Sequence, residues 1–375
     1  MGKGEIKTIV IAGGGTGGHI YPGIAIAEAL EALNPQIKFF FYSGCRPIES
    51  EIYKKEGKVV QALPVSPTKK GIVGKIWAFR DFLKACKQVS KLFKSMKPDL
   101  ILGTGGYTSA PVFWVAKKMK IPFYIHEQNS IPGKVNRYFS RWARKCFCTF
   151  KKSIEFFGEG KSVLTGFPLR KRFFKIPDRA TAQNFFNLNP DLFTIFIQGG
   201  SQGARFLNLK LVDVLKDFDV NLGKEFPVQI LWSAGKLNFD ELKDELEKKH
   251  FQYLKIQLKP FINDIEVALG CADLVISRAG AGSIAEILMA GKPSILIPLP
   301  TSADNHQKYN AEEITVNQAG EVLEENQINT PRFREMLERL LRNPALLQEM
   351  SIKSKSLSRP DAGLKIAEII LNETC

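Results

Sequence analysis

Two doubly wound α/β domains are what this sequence predicts, and three observations carry that expectation. Short apolar runs alternate with helical stretches along the chain, three of those runs enter glycine loops that lead into helices, and 375 residues exceed what one ordinary core holds. Alternation of this kind builds parallel sheets covered by helices on both faces.

The first strand, Thr8-Ile-Val-Ile-Ala12, runs into Gly13-Gly-Gly-Thr16-Gly17-Gly18-His19. Five glycines in six positions let the backbone turn with positive φ and approach a ligand, and the N–H groups of the next helix start favour an anion. That helix is expected from Pro22. Strands follow over 38–42, 99–102 and 122–125 and near 146–150 and 163–165, with helices over 72–96 and from Ser109. Residues 166–191 read as a linker. The second sheet is expected over 193–198, 227–232, 255–259, 273–277, 294–298 and 320–323. It carries the other two loops, Gln198-Gly-Gly-Ser201-Gln-Gly-Ala-Arg205 and Ser277-Arg278-Ala-Gly-Ala-Gly-Ser283-Ile-Ala-Glu286. The expected domains are 1–168 and 169–375, facing each other across a cleft, with a last helix over about 361–371 packing back on the first domain.

The loops do not fit the commonest nucleotide motifs. Gly13-x-Gly15-x-x-Gly18 matches a dinucleotide fingerprint, yet the second strand ends in Ser43-Gly-Cys-Arg46 without the ribose-binding acid. Arg46 keeps an NADP reading open. No Gly-Lys-Ser/Thr follows any loop, which excludes a P-loop. With 44% hydrophobic and 24% charged residues the composition is globular, and neither a membrane-spanning run nor a signal peptide is read, so the expected location is cytosolic. The six cysteines lack paired metal spacing; Cys146-Phe-Cys148 reads as reduced thiols on a strand.

The net charge of +15 belongs to one half of the chain. Residues 1–168 hold 27 Lys and Arg against 11 Asp and Glu, whereas the rest hold 26 against 27. Within 66–97, nine basic residues face only Asp81 and alternate with apolar ones. Ile72, Ile76, Phe79, Leu83 and Cys86 recur at helical spacing, so this helix can rest on an anionic membrane surface or pack into a core. The residues read as the membrane contact are Lys69, Lys70, Ile72, Lys75, Ile76, Trp77 and Phe79. Nucleic acid is not expected, because no zinc finger, RNA-binding signature or stacking platform accompanies the charge.

Six motifs, in order and at similar spacing, then carry a resemblance: Gly14-Gly-Thr16-Gly-Gly-His19, Gly105-Gly-Tyr107-Thr-Ser, His126-Glu-Gln-Asn129, Gly199-Gly-Ser201-Gln-Gly-Ala-Arg, Ser277 to Glu286, and Asp304-Asn-His-Gln307. The chain resembles the peptidoglycan N-acetylglucosaminyltransferases that convert lipid I to lipid II, which have the GT-B fold. It departs from that family at Phe167, where an asparagine is common, while Arg170 keeps its place.

The resemblance implies inverting transfer of GlcNAc from UDP-GlcNAc to the C4 hydroxyl of undecaprenyl-diphosphoryl-MurNAc-pentapeptide, without cofactor or metal, at the cytoplasmic face of the inner membrane. Other proteins of wall synthesis are implied partners. Carried over residue by residue, the nucleotide-sugar site is Thr16, Gly17, Gly18, Asn129, Arg170, Ser201, Ile262, Ala281, Gly282, Ser283, Ile284, Ala285, Glu286 and Gln307. Glu286 would accept the ribose hydroxyls, and Ile262 would face the uracil through its backbone. His19 can take the acceptor's proton as the bond forms, bind the acceptor diphosphate, or cap the helix. Asp217-Phe-Asp219 has the form of a metal motif but reads as a solvated helix end. A related GT-B enzyme acting on a glycolipid or epimerising UDP-GlcNAc, and a non-catalytic nucleotide-sugar-binding protein, are the alternatives; the intact His126-Glu-Gln-Asn129 speaks against the former.

Overall fold

A computed structural model describes residues 6–65, 71–158, 160–199, 204–328 and 330–374; Lys69, Lys70 and Ser201 lie outside the described residues. The chain divides into two compact units, one of Met1–Arg170 with Arg359–Cys375, the other Lys171–Ser358.

In the first unit the elements run β1 (Thr8–Gly13), α1 (Gly17–Leu33), β2 (Lys38–Ser43), α2 (Pro47–Lys55), β3 (Val60–Ala62), α3 (Ile72–Met96), β4 (Leu100–Gly105), α4 (Ser109–Met119), β5 (Phe123–Glu127), α5 (Lys134–Phe139), β6 (Cys146–Cys148) and β7 (Ser162–Leu164). The strands pair in parallel in the order β3-β2-β1-β4-β5-β6-β7. Strand alternation sends Ile9 and Ile11 into one apolar layer and Val10 and Ala12 into the other, so both faces of β1 are covered. Order reverses between β1 and β4. The crevice at the carboxyl ends of those two strands is where ligands bind in open sheets of this type, and the first glycine loop lies there.

The second unit runs α6 (Arg179–Phe185), β8 (Phe193–Gln198), α7 (Arg205–Asn221), β9 (Val228–Ser233), α8 (Phe239–Lys249), β10 (Lys255–Lys259), α9 (Ile265–Cys271), β11 (Leu274–Ser277), α10 (Ala281–Ala290), β12 (Ser294–Leu296), α11 (His306–Val316), β13 (Glu321–Val322), α12 (Thr330–Leu341) and α13 (Pro344–Leu357). Its parallel order, β10-β9-β8-β11-β12-β13, puts the reversal between β8 and β11, whose exits are the second and third glycine loops. A final helix, α14 (Ala362–Thr374), returns to the first unit, where Ile366, Ala367 and Ile370 join Ile9, Ile11 and Leu30 in one layer.

Four local expectations differ from what forms. Helix α1 starts at Gly17 rather than Pro22; the proline sits inside it and forgoes the bond to the Gly18 carbonyl. Residues 47–62, where no element was expected, form α2, with Pro47 at its first position, and the edge strand β3. The 166–191 stretch contains α6, capped by Asp178, whose side chain accepts the Thr181 N–H. Asp217 and Asp219 are not a solvated helix end. Asp219 is fully buried and accepts the N–H groups of Gln252, Tyr253 and Leu254 at 2.9, 2.7 and 2.9 Å, while Asp217 pairs with Arg334 at 2.9 Å. These carboxylates tie α7 to the segment before β10 and to α12.

Candidate functional site

The first glycine loop is held by a buried carboxylate that the motif reading missed. Glu49, near the start of α2, accepts the Gly15 N–H at 2.7 Å, the Ser43 hydroxyl at 2.9 Å and the Tyr107 hydroxyl at 3.0 Å. Arg46 donates to the Gly15 carbonyl at 2.7 Å, which commits the side chain that had kept an NADP reading open. Gly15 has φ +91°, so a residue with a side chain would be strained there. Gly106 allows the loop after β4 to approach: a Cβ on it would lie 2.6 Å from the Gly14 carbonyl oxygen.

Thr16 precedes α1, Gly17 and Gly18 open it, and His19 follows on its first turn. The His19 carbonyl accepts the Thr104 hydroxyl at 2.6 Å, which fixes the turn against β4. His19 Nδ1 lies 3.0 Å from both the Thr104 carbonyl and Gln128 Oε1. Burial lowers its pKa, against the raising effect of those two acceptors, so the ring is neutral at pH 7. His126 is fully buried, pushed down to about 4 by burial, and rests edge-on against Phe167.

Glu127 organises the next loop. Its carboxylate accepts the N–H groups of Asn129 and Gly133 at 2.9 and 3.1 Å and Asn136 Nδ2 at 2.8 Å, and burial raises its pKa against those bonds. The Asn129 backbone is thereby fixed at the carboxyl end of β5. Arg170 belongs to the first unit: it is buried, pairs with Glu56 at 2.9 Å and stacks 3.8 Å from the Tyr21 ring centre.

In the second unit, α10 follows the extended N-cap residue Gly280, which has no side chain to cap the helix itself. Ala281 and Ile284 are buried, while Gly282, Ser283, Ala285 and Glu286 are partly exposed. Arg278 is buried, paired with Glu325 and bonded to the carbonyls of Ile297 and Pro298 at 3.3 Å each. Gln307 Oε1 accepts the Leu299 N–H at 3.0 Å, and Ile262 is buried beyond β10. The structure thus gathers Thr16, Gly17, Gly18, His19 and Asn129 at the crevice of one sheet, and 281–286 at that of the other.

On α3 the second half is anchored through Ala85, Val89 and Phe93, while Ile72, Val73, Ile76, Trp77, Phe79 and Leu83 are each more than half exposed. Single exposed apolar side chains are ordinary, but a run covering three helical turns is not. Arg80 packs over Trp77, Phe82 meets Trp114 edge-on, and Lys117 and Lys118 lie over the Trp114 ring. No helix among the described residues is long and apolar enough to cross a membrane.

Two family models match: the glycosyltransferase family 28 N-terminal domain over residues 9–148 and the family 28 C-terminal domain over 194–365. A protein of Desulforamulus reducens named UDP-N-acetylglucosamine–N-acetylmuramyl-(pentapeptide) pyrophosphoryl-undecaprenol N-acetylglucosamine transferase is 35% identical, over 94% of this chain and 95% of its own. One of the same name from Listeria monocytogenes is 33% identical over 97% and 99%. Among solved structures, MurG of Acinetobacter baumannii superposes with a TM-score of 0.76 at 28% identity, covering 98% of this chain and 99% of that one. A UDP-GlcNAc 2-epimerase of Neisseria meningitidis, at 13% identity and a TM-score of 0.69, shares the fold.

Proposed function

The chain belongs to glycosyltransferase family 28, both of whose domains it carries, and on that premise we propose that it transfers GlcNAc from UDP-GlcNAc to lipid I, making lipid II for peptidoglycan. The observation that carries this reading is full-length identity of 33–35% to enzymes named for that transfer, where the UDP-GlcNAc epimerase reaches 13%.

The chemistry proposed is a single inverting displacement. The C4 hydroxyl of the muramyl residue attacks the anomeric carbon from the face opposite UDP, so the new bond is β where the broken one was α. As the C–O bond forms, His19 Nε2 takes the hydroxyl proton; as the bond to the diphosphate breaks, its electron pair leaves on UDP. The N-terminal dipole of α10 meets that charge, and Ser201, which lies outside the described residues, is assigned the same role. Glu286 accepts the ribose hydroxyls, and the Ile262 backbone lies beside the uracil. Ala281 to Ala285 and Gln307 are carried over to the nucleotide-sugar site, as are Thr16, Gly17, Gly18, Asn129 and Arg170, the last of which also braces α1 through Tyr21.

The acceptor is anchored in the bilayer, so the enzyme docks there, on the cytoplasmic face, through Ile72, Ile76, Trp77 and Phe79 of α3 with Lys75 and the Lys69-Lys70 pair. A turnover assay with UDP-GlcNAc and a lipid I analogue tests the reading. Formation of the disaccharide lipid with release of UDP is expected, and epimerised UDP-sugar or no turnover would overturn it.

A further inference from the structure

The two buried-side histidine contacts form one directed chain, and three backbone carbonyls fix its direction. A carbonyl oxygen only accepts, so the His126 nitrogen facing Gly166 at 3.2 Å, Nε2, carries the proton. Neutral His126 then has a bare Nδ1, which takes a hydrogen bond from Gln128 Nε2 at 3.0 Å. The same amide nitrogen donates to the His126 carbonyl at 3.1 Å, so the Gln128 amide admits only one orientation. Its oxygen therefore faces His19 Nδ1, beside the Thr104 carbonyl, and two acceptors at 3.0 Å require a proton on that nitrogen.

From this chain we infer that Gln128, oriented by His126, is a positioning residue that holds His19 in its Nδ1–H tautomer and leaves Nε2 bare as the proton acceptor. The inference rests on the reading of His19 as general base. The opposite tautomer would aim the Nδ1 lone pair at two oxygen atoms and put a proton on the nitrogen that has to receive one. When Nε2 is protonated during transfer, the imidazolium keeps both Nδ1 acceptors, so no partner has to reorganise.

The full-length enzyme contains four histidines, which makes 15N-histidine NMR at neutral pH a direct test. His19 is expected to show a protonated Nδ1 and bare Nε2, and His126 the reverse. A proton on Nε2 of His19, or rapid averaging between tautomers, in the unsubstituted enzyme would overturn the inference without any variant. In Gln128→Ala, with an unchanged circular-dichroism spectrum as the sign of intact fold, His19 should populate both tautomers. There kcat should fall about tenfold while the donor KM stays within about twofold, a fraction of what a general base contributes. Unchanged tautomer and kcat in that variant would also overturn it. His19→Ala separates the two ideas: wild-type kcat there would remove His19 as base, and with it the acceptor role of Nε2, even if the tautomer is as described.

Discussion

The N–H of Gly15 donates to Glu49 Oε1 at 2.7 Å, in a buried setting and across 34 residues of chain. The glycine loop thus already holds one anion, supplied by its own domain. Two hydroxyls share that carboxylate, so it fixes the loop from β2 and from the loop after β4 as well.

Glu49→Leu is accordingly expected to leave two buried donors and one half-buried donor without their acceptor. Each unsatisfied donor costs about 1–3 kcal/mol, so the urea midpoint should fall clearly and activity with it. An unchanged midpoint would mean that water replaces the carboxylate.

Glu286→Ala should weaken donor binding and leave the fold intact, since the residue is partly exposed on α10. Losing a charged acceptor costs about 1.5–3 kcal/mol, so the KM for UDP-GlcNAc should rise roughly 10- to 100-fold, read by steady-state kinetics. A KM equal to wild type would take Glu286 out of the site.

Asp219 gives a pH prediction with a defined sign. Burial pushes its pKa up, but three N–H bonds and Lys216 outweigh that, and the net shift is downward. A carboxylate lowered in the folded state stabilises above its unfolded pKa of about 4 and loses that contribution as pH falls through the folded value. Denaturant melts of Asp219→Asn should therefore show lower stability at pH 7 and a shallower decline on acidification; parallel curves for the two proteins would contradict this.

Because Asp219 and Asp217 are both committed to protein partners, activity should persist in EDTA. Complete loss that added metal restores would reopen the question of a cation.

Charging the exposed face of α3, as Ile76→Glu with Trp77→Glu, should reduce vesicle flotation and turnover of membrane-embedded lipid I while sparing a short-chain soluble analogue. Each lysine near anionic lipid contributes about 1 kcal/mol, screened within about 10 Å at 0.1 M salt, so the loss should be largest at low ionic strength. Equal loss on both substrates would mean that the segment serves the site instead.

What the sequence determined by itself is what local pattern encodes. Alternating apolar runs set the strands, glycine spacing marked the loops, and Ile72–Met96 was legible to the residue because its apolar repeat and its basic run share one period. Pro22 marks a helix start by local pattern, yet α1 begins at Gly17, because a single missing bond is tolerated inside the helix. Tertiary structure alone decided the partners of the buried polar groups: Glu49 with Gly15, Asp219 with 252–254, and Gln128 with His19 across 109 residues. No sequence period reports these pairs. An acidic residue on a helix has the same local signature whether it meets water or three N–H groups, and only the crossing of distant strands and loops, which must satisfy every buried donor, selects between them.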